Sequence, residues 1–170
     1  MSAQPNLGMQ PTTFANPMGI DGFEFVEFAA PDAGGRQALH DLFKRMGFSA
    51  VLRHRDRAVT VYRQGGVNFL LNEEPVGFAA EFAAQHGPCA CGFAIRFTQP
   101  VDEVARTVKG NGGEALERDG AIAVPKVKGI GDCMLYLVPS GQDVYASEYV
   151  AIEGADANPA GFGLTFIDHL

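Results

Sequence analysis

The residues most able to do chemistry in this chain stand near its last position. Asp168 and His169 follow a run of glycine and apolar residues, GFGLTFIDHL (161–170). An imidazole beside a carboxylate suits a first-row divalent metal, but one imidazole is a fragment of a ligand set. If 163–170 is a strand, alternation sends neighbouring side chains to opposite faces, so Asp168 does not share His169's side. Glu148 is a second candidate carboxylate, read as a strand-edge or interface charge because position 98 holds a threonine and not a histidine to partner it. Glu24 and Glu27 alternate to opposite faces of one strand, a poor arrangement for a paired acid and base. His40, His54 and His86 fall at no position that completes a metal site. Cys89 and Cys91 have neither redox nor zinc spacing and, with Cys133, read as small reduced core residues. The glycines around 110–113 and 129–131 lack the strand–helix frame and lysine of a phosphate loop and read as turns.

The elements that must position these groups follow a repeating order. GFEFVEFA (22–29) is a strand by its alternation. Asp32 is placed to cap a helix bearing Leu39, Leu42, Phe43 and Met46, and Gly47 stops it. Strands are expected around 50–53 and 58–62, with a Gln64-Gly65-Gly66 turn into another at 67–71. Phe78, Phe82 and Ala83 have the spacing of a core-facing helix. Asn68 and Asn72 alternate with Phe69 and Leu71, as in an edge or hairpin strand. The order then recurs: a strand at 92–97, a helix carrying Val101, Val104, Ala105 and Val108, and strands around 115–118, 134–138 and 144–150. Gly22, Gly92 and Gly163 lead similar segments at nearly equal spacing, which marks a repeat whose third copy begins at 163. At the same offset from these glycines stand Phe28, Thr98 and His169, so a metal-capable group occurs there only in the third copy.

Composition narrows the function classes. The 170 residues are 46% apolar with 21 glycines and 10 prolines, which fits a turn-rich α+β chain. A formal net charge of −7 with scattered basic residues argues against a nucleic-acid partner. The densest basic group, Arg53, His54, Arg55 and Arg57, reads as a solvated turn. No apolar run is long enough for a membrane helix, and MSAQPNLGMQPTTFANPMG has no secretory signal pattern. Three unpaired cysteines fit a reducing, cytoplasmic setting.

Several blocks resemble one family. NPMG (16–19) with GFEFVEF (22–28), VYRQG (61–65), NFLLNEEP (68–75), AQHGP (84–88), CGFAIR (91–96), KGIG (128–131) with LYL (135–137), and GLTFIDHL (163–170) are together similar to the start of bacterial 4-hydroxyphenylpyruvate dioxygenases. The resemblance implies two βαβββ modules of the vicinal oxygen chelate (glyoxalase/dioxygenase) type forming a half-barrel domain. The Pro, Gln, Thr and Asn content of 1–15 suggests a flexible arm, and the resemblance implies a domain at 16–152 with modules at about 20–76 and 88–152, and a linker at 153–162. The segment 163–170 then opens a catalytic domain that is cut short. It further implies an Fe(II) enzyme converting 4-hydroxyphenylpyruvate and O2 to homogentisate and CO2 in tyrosine and phenylalanine catabolism, and a dimer or tetramer. His169 corresponds to one iron ligand, while the remaining His and Glu ligands have no counterpart here. The expectation for this chain alone is therefore no bound iron and no turnover. A 4-hydroxymandelate synthase fragment and a stand-alone ligand-binding module are the alternatives.

Overall fold

The computed structural model describes residues 15–170 apart from Glu117 and Asp119. The expected N-terminal arm lies outside the described residues but for its last position. The first module runs β1 (Ile20–Ala29), α1 (Ala33–Arg45), β2 (Ser49–His54), β3 (Val59–Gln64) and β4 (Val67–Asn72). Helix α2 (Phe78–His86) leads to the second: β5 (Cys89–Phe97), α3 (Val101–Gly110), β6 (Ala115–Leu116), β7 (Lys126–Lys128) and β8 (Met134–Pro139). A last strand, β9 (Tyr149–Ala151), follows.

Local chemistry explains the module ends. Asp32 caps α1 by accepting the Gly35 N–H at 2.7 Å. Past the helix, Gly47 turns the chain with a φ of 87°, a left-handed conformation that glycine adopts without steric cost. Gly65 and Gly66 alone join β3 to β4, which pair from Gln64↔Val67 to Val59↔Asn72.

The strands form one mixed sheet in the order β6-β7-β8-β5-β1-β4-β3-β2-β9. In each module the first strand pairs in parallel with the last, β1 with β4 and β5 with β8, and β1 meets β5 antiparallel at the pseudo-symmetric centre. The α+β expectation holds, and so does the βαβββ order of both modules. The second module's fourth strand is β8, however, not the segment around 144–150. Strand β7 supplies the count: it pairs with β6 and β8 through a short KVK stretch with too few residues to display alternation. Released from that role, β9 crosses to the other module and pairs with β2.

Alternation splits the core into two layers. Phe25, Val61, Leu70, Ala94, Tyr136 and Val138 pack together on the inner face of the half-barrel. On the outer face, α1 sets Leu39 and Phe43 against Tyr62, Val67 and Leu71, and α3 sets Val104 against Phe97, Val127 and Leu137. Burying each of the Val, Leu and Phe side chains among these contributes roughly 1.5–3 kcal/mol.

Residues 163–170, expected as a strand, are neither strand nor helix. Their backbone finds no strand ladder. Instead the preceding turn is anchored by fully buried Gln64, whose Oε1 accepts the Phe162 N–H at 2.5 Å and the Leu164 N–H at 3.4 Å. The same side chain donates to the Met46 carbonyl at 2.8 Å, tying 162–164 to the end of α1. Among the described residues, no helix is long and apolar enough to cross a membrane.

Candidate functional site

The inner face of the half-barrel carries an unusual set of polar groups. Glu27 lies on β1, two residues from Phe25, and is fully buried. Asn72, at the end of β4, donates its Nδ2 hydrogen to Glu27 Oε1 at 2.8 Å. Tyr136, on β8, holds its hydroxyl 2.6 Å from Glu27 Oε2. Three strands from both modules thus converge on one carboxyl group. Burial raises its pKa; the Asn72 and Tyr136 hydrogen bonds and the charge of Lys126 oppose that shift without cancelling it. Burial and the adjacent Glu27 likewise push the Tyr136 phenol well above its ordinary value. Lys126 is itself buried, with its ammonium 5.8 Å from the centre of the Tyr136 ring. These groups line a cavity of about 70 Å³ whose other walls include Arg57, Glu74 and Phe78.

Glu24 also turns inward, contrary to the alternation. The β1–β5 register passes from Phe23↔Ile95 to Phe25↔Ala94, so three residues of β1 face two of β5. Such a bulge re-aims the extra side chain. Glu24 Oε1 accepts from Tyr145 Oη at 3.1 Å and from Asn68 Nδ2 at 3.3 Å, and Arg96 Nη1 donates to Oε2 at 3.3 Å. Asn68 and Asn72 are therefore interior partners of the two glutamates. Strand β4 is no edge: it lies between β1 and β3.

His54 also departs from the sequence reading. Arg53, Arg55 and Arg57 are exposed, as expected of a solvated turn, but His54 between them is only 8% exposed. The Asp56 N–H donates to its Nδ1 at 3.1 Å, which leaves Nε2 as the proton-bearing nitrogen of the neutral ring, 3.3 Å from Glu148 Oε2. Glu148 immediately precedes β9 and also accepts the Ala123 N–H at 3.1 Å. The pair fastens the crossing strand to β2, which fits the reading of Glu148 as a charge at a strand junction. His40 lies on the outer side, bonded to Tyr62 and, at 3.2 Å, to Glu73. His86 packs at a tilt against Phe82 at the end of α2.

Asp168 and His169 sit apart from all of this. Their side chains are 78% and 89% exposed, and His169 Nδ1 lies 2.9 Å from Asp168 Oδ2. Without a strand, the alternation that would separate them does not operate. Among the described residues no group of three or more His, Cys, Asp or Glu side chains is arranged to hold a metal ion. The iron implied by the sequence resemblance therefore does not fit the described residues by themselves: the inner face offers a carboxyl, a carboxamide and a phenol bonded to one another, and the terminal pair offers two donors.

Paired βαβββ modules around a common inner face define a half-barrel of the vicinal oxygen chelate type. Methylmalonyl-CoA epimerase from Mycobacterium tuberculosis shares this fold, with a TM-score of 0.60 at 17% identity over 79% of this chain and 98% of that one. The family described as "Hydroxyphenylpyruvate dioxygenase, HPPD, N-terminal" matches residues 14–151, and the chain belongs to it. A 4-hydroxyphenylpyruvate dioxygenase from Pseudomonas aeruginosa is 41% identical over 160 residues, covering 91% of this chain and 44% of that protein. A solved "xylose isomerase-like TIM barrel/4-hydroxyphenylpyruvate dioxygenase fusion protein" superposes with a TM-score of 0.77 at 33% identity, over 88% of this chain and 24% of that one. The chain thus spans less than half the length of the Pseudomonas aeruginosa dioxygenase and of the fusion protein.

Proposed function

We propose that this chain is the N-terminal part of a 4-hydroxyphenylpyruvate dioxygenase that converts 4-hydroxyphenylpyruvate and O2 to homogentisate and CO2. The observation that carries this reading is the family match across 14–151, joined to 41% identity with a dioxygenase that is more than twice as long as the aligned segment. In the intact enzyme Fe(II) is the metal, His169 supplies one of its ligands, and the other ligands come from sequence beyond this chain. The half-barrel acts as scaffold: its inner carboxylates are committed to asparagine and tyrosine partners. On this reading the chain alone does not turn over the keto acid.

A chimera tests the proposal. This chain replaces the aligned segment of the Pseudomonas aeruginosa enzyme, and homogentisate is measured with Fe(II) and O2. The expected result is an active chimera beside an inactive isolated chain. A folded, inactive chimera, or homogentisate made by the isolated chain, contradicts it.

A further inference from the structure

After β9 the chain crosses the end of the β3–β4 hairpin, and that end is shaped to receive it. Arg63 Nη1 donates to the Ala157 carbonyl at 2.9 Å, and the Gly65 N–H donates to the carbonyl of buried Pro159 at 2.8 Å. Gln64 then takes the Phe162 and Leu164 amides. Further on, Ile167 packs against the core cluster that holds Leu39, Phe43 and Tyr62. The glycines show how close the approach is. A side-chain carbon on Gly47 would lie 2.9 Å from the Phe162 ring and 3.1 Å from the Phe162 nitrogen, and one on Gly161 would lie 2.5 Å from the Gln64 side chain. On Gly65 it would strike the Leu164 carbonyl oxygen, and on Gly66 the Thr165 carbonyl oxygen. Gly47, Gly65 and Gly161 have positive φ, so their turns alone favour glycine. Gly66 does not, and its own backbone gives no reason to exclude a side chain. What excludes one there is the passing segment.

We propose that 157–167 is a fixed strap seated on the 63–66 hairpin end, and that Gln64 and Gly66 are positioning residues for the chain beyond it. The seat sets the direction in which the chain leaves the first module. Gln64 supplies the bonds and Gly66 supplies the clearance. The obstacle that an alanine at 66 would meet is a backbone carbonyl, which no rotamer change moves aside, so the strap must lift. Without the strap, alanine at a compatible φ would be neutral or slightly stabilising. The strap is a property of the half-barrel alone; its consequence for turnover rests on the dioxygenase reading.

The test is 15N relaxation on the 170-residue chain, followed by kinetics on the chimera. In the unmodified chain, backbone order parameters of about 0.85 are expected across 160–167, as in β3 and β4, whereas a free linker gives values below about 0.6. In Gly66→Ala the values across 162–167 fall below about 0.6 while β3 and β4 keep theirs. Gly110→Ala, where a side-chain carbon meets nothing within 4 Å, changes neither. In the chimera, Gly66→Ala lowers kcat about tenfold with KM held within about twofold, because the displaced segment acts on turnover rather than on substrate capture. Low order parameters across 160–167 in the unmodified chain, unchanged values in Gly66→Ala, or an unchanged kcat in the Gly66→Ala chimera overturn the proposal. An inactive parental chimera counts against the dioxygenase reading instead, and the relaxation data then decide the strap by themselves.

Discussion

The inner face and the terminal pair treat the same functional groups in opposite ways. Glu27 is a carboxyl with no exposure, enclosed by Asn72 and Tyr136 from strands on either side of β1 and β5. Asp168 is a carboxyl with 78% exposure that contacts the imidazole next to it. The first is expensive to disturb, and each of its oxygens is already bonded to a partner side chain. The second is cheap to disturb and leaves His169 Nε2 open to a metal. On the proposed reading, the half-barrel is scaffold and the metal ligand, His169, lies outside it.

The sharpest way to break this contrast is at Glu27. Glu27→Ala strands the Asn72 carboxamide and the Tyr136 hydroxyl in the interior, and a loss of about 2–4 kcal/mol in urea unfolding is expected. A loss near zero would mean that the inner cluster is not structural. Protonation sharpens the same point. The folded pKa of Glu27 lies above the ordinary 4.5, so above pH 4.5 the native state retains a proton that the unfolded chain has released. Stability therefore falls as pH rises from 4.5 through the raised native pKa, then levels off. Glu27→Gln flattens that slope in unfolding curves recorded across the window; an unchanged slope contradicts the assignment.

Gln64 joins the two regions and its effect is intermediate. Gln64→Ala removes the acceptor of the Phe162 and Leu164 amides and the donor to Met46, at a cost of about 1–3 kcal/mol. Hydrogen exchange at the Phe162 amide accelerates more than in β1. Smallest is the terminal pair. His169→Ala, on an exposed side chain, changes the stability of the isolated chain by less than about 0.5 kcal/mol, measured by the same unfolding curves.

Parts of this were legible in the sequence because they are local. The Asp32 cap, the Gln64-Gly65-Gly66 hairpin and the βαβββ order depend on neighbouring residues and short periods. Glu27's burial is not legible there, because its partners are 45 and 109 positions away in the chain. Glu24 points inward through a register slip between β1 and β5, which alternation within β1 does not contain. His54 is buried by β9, a strand from the other end of the chain, so its arginine-rich neighbourhood misdescribes it. The tail read as a strand from its apolar alternation, yet alternation supplies no partner, and Gln64 takes up its first amides.

The most direct measurement is iron content, with Fe(II) titrated anaerobically into the isolated chain, the chimera and the chimera carrying His169→Ala. The account predicts well under one iron per isolated chain, one per chimera, and its loss on His169→Ala. One tightly held iron on the isolated chain, lost on Glu27→Gln and kept on His169→Ala, would contradict it and move the metal to the inner face.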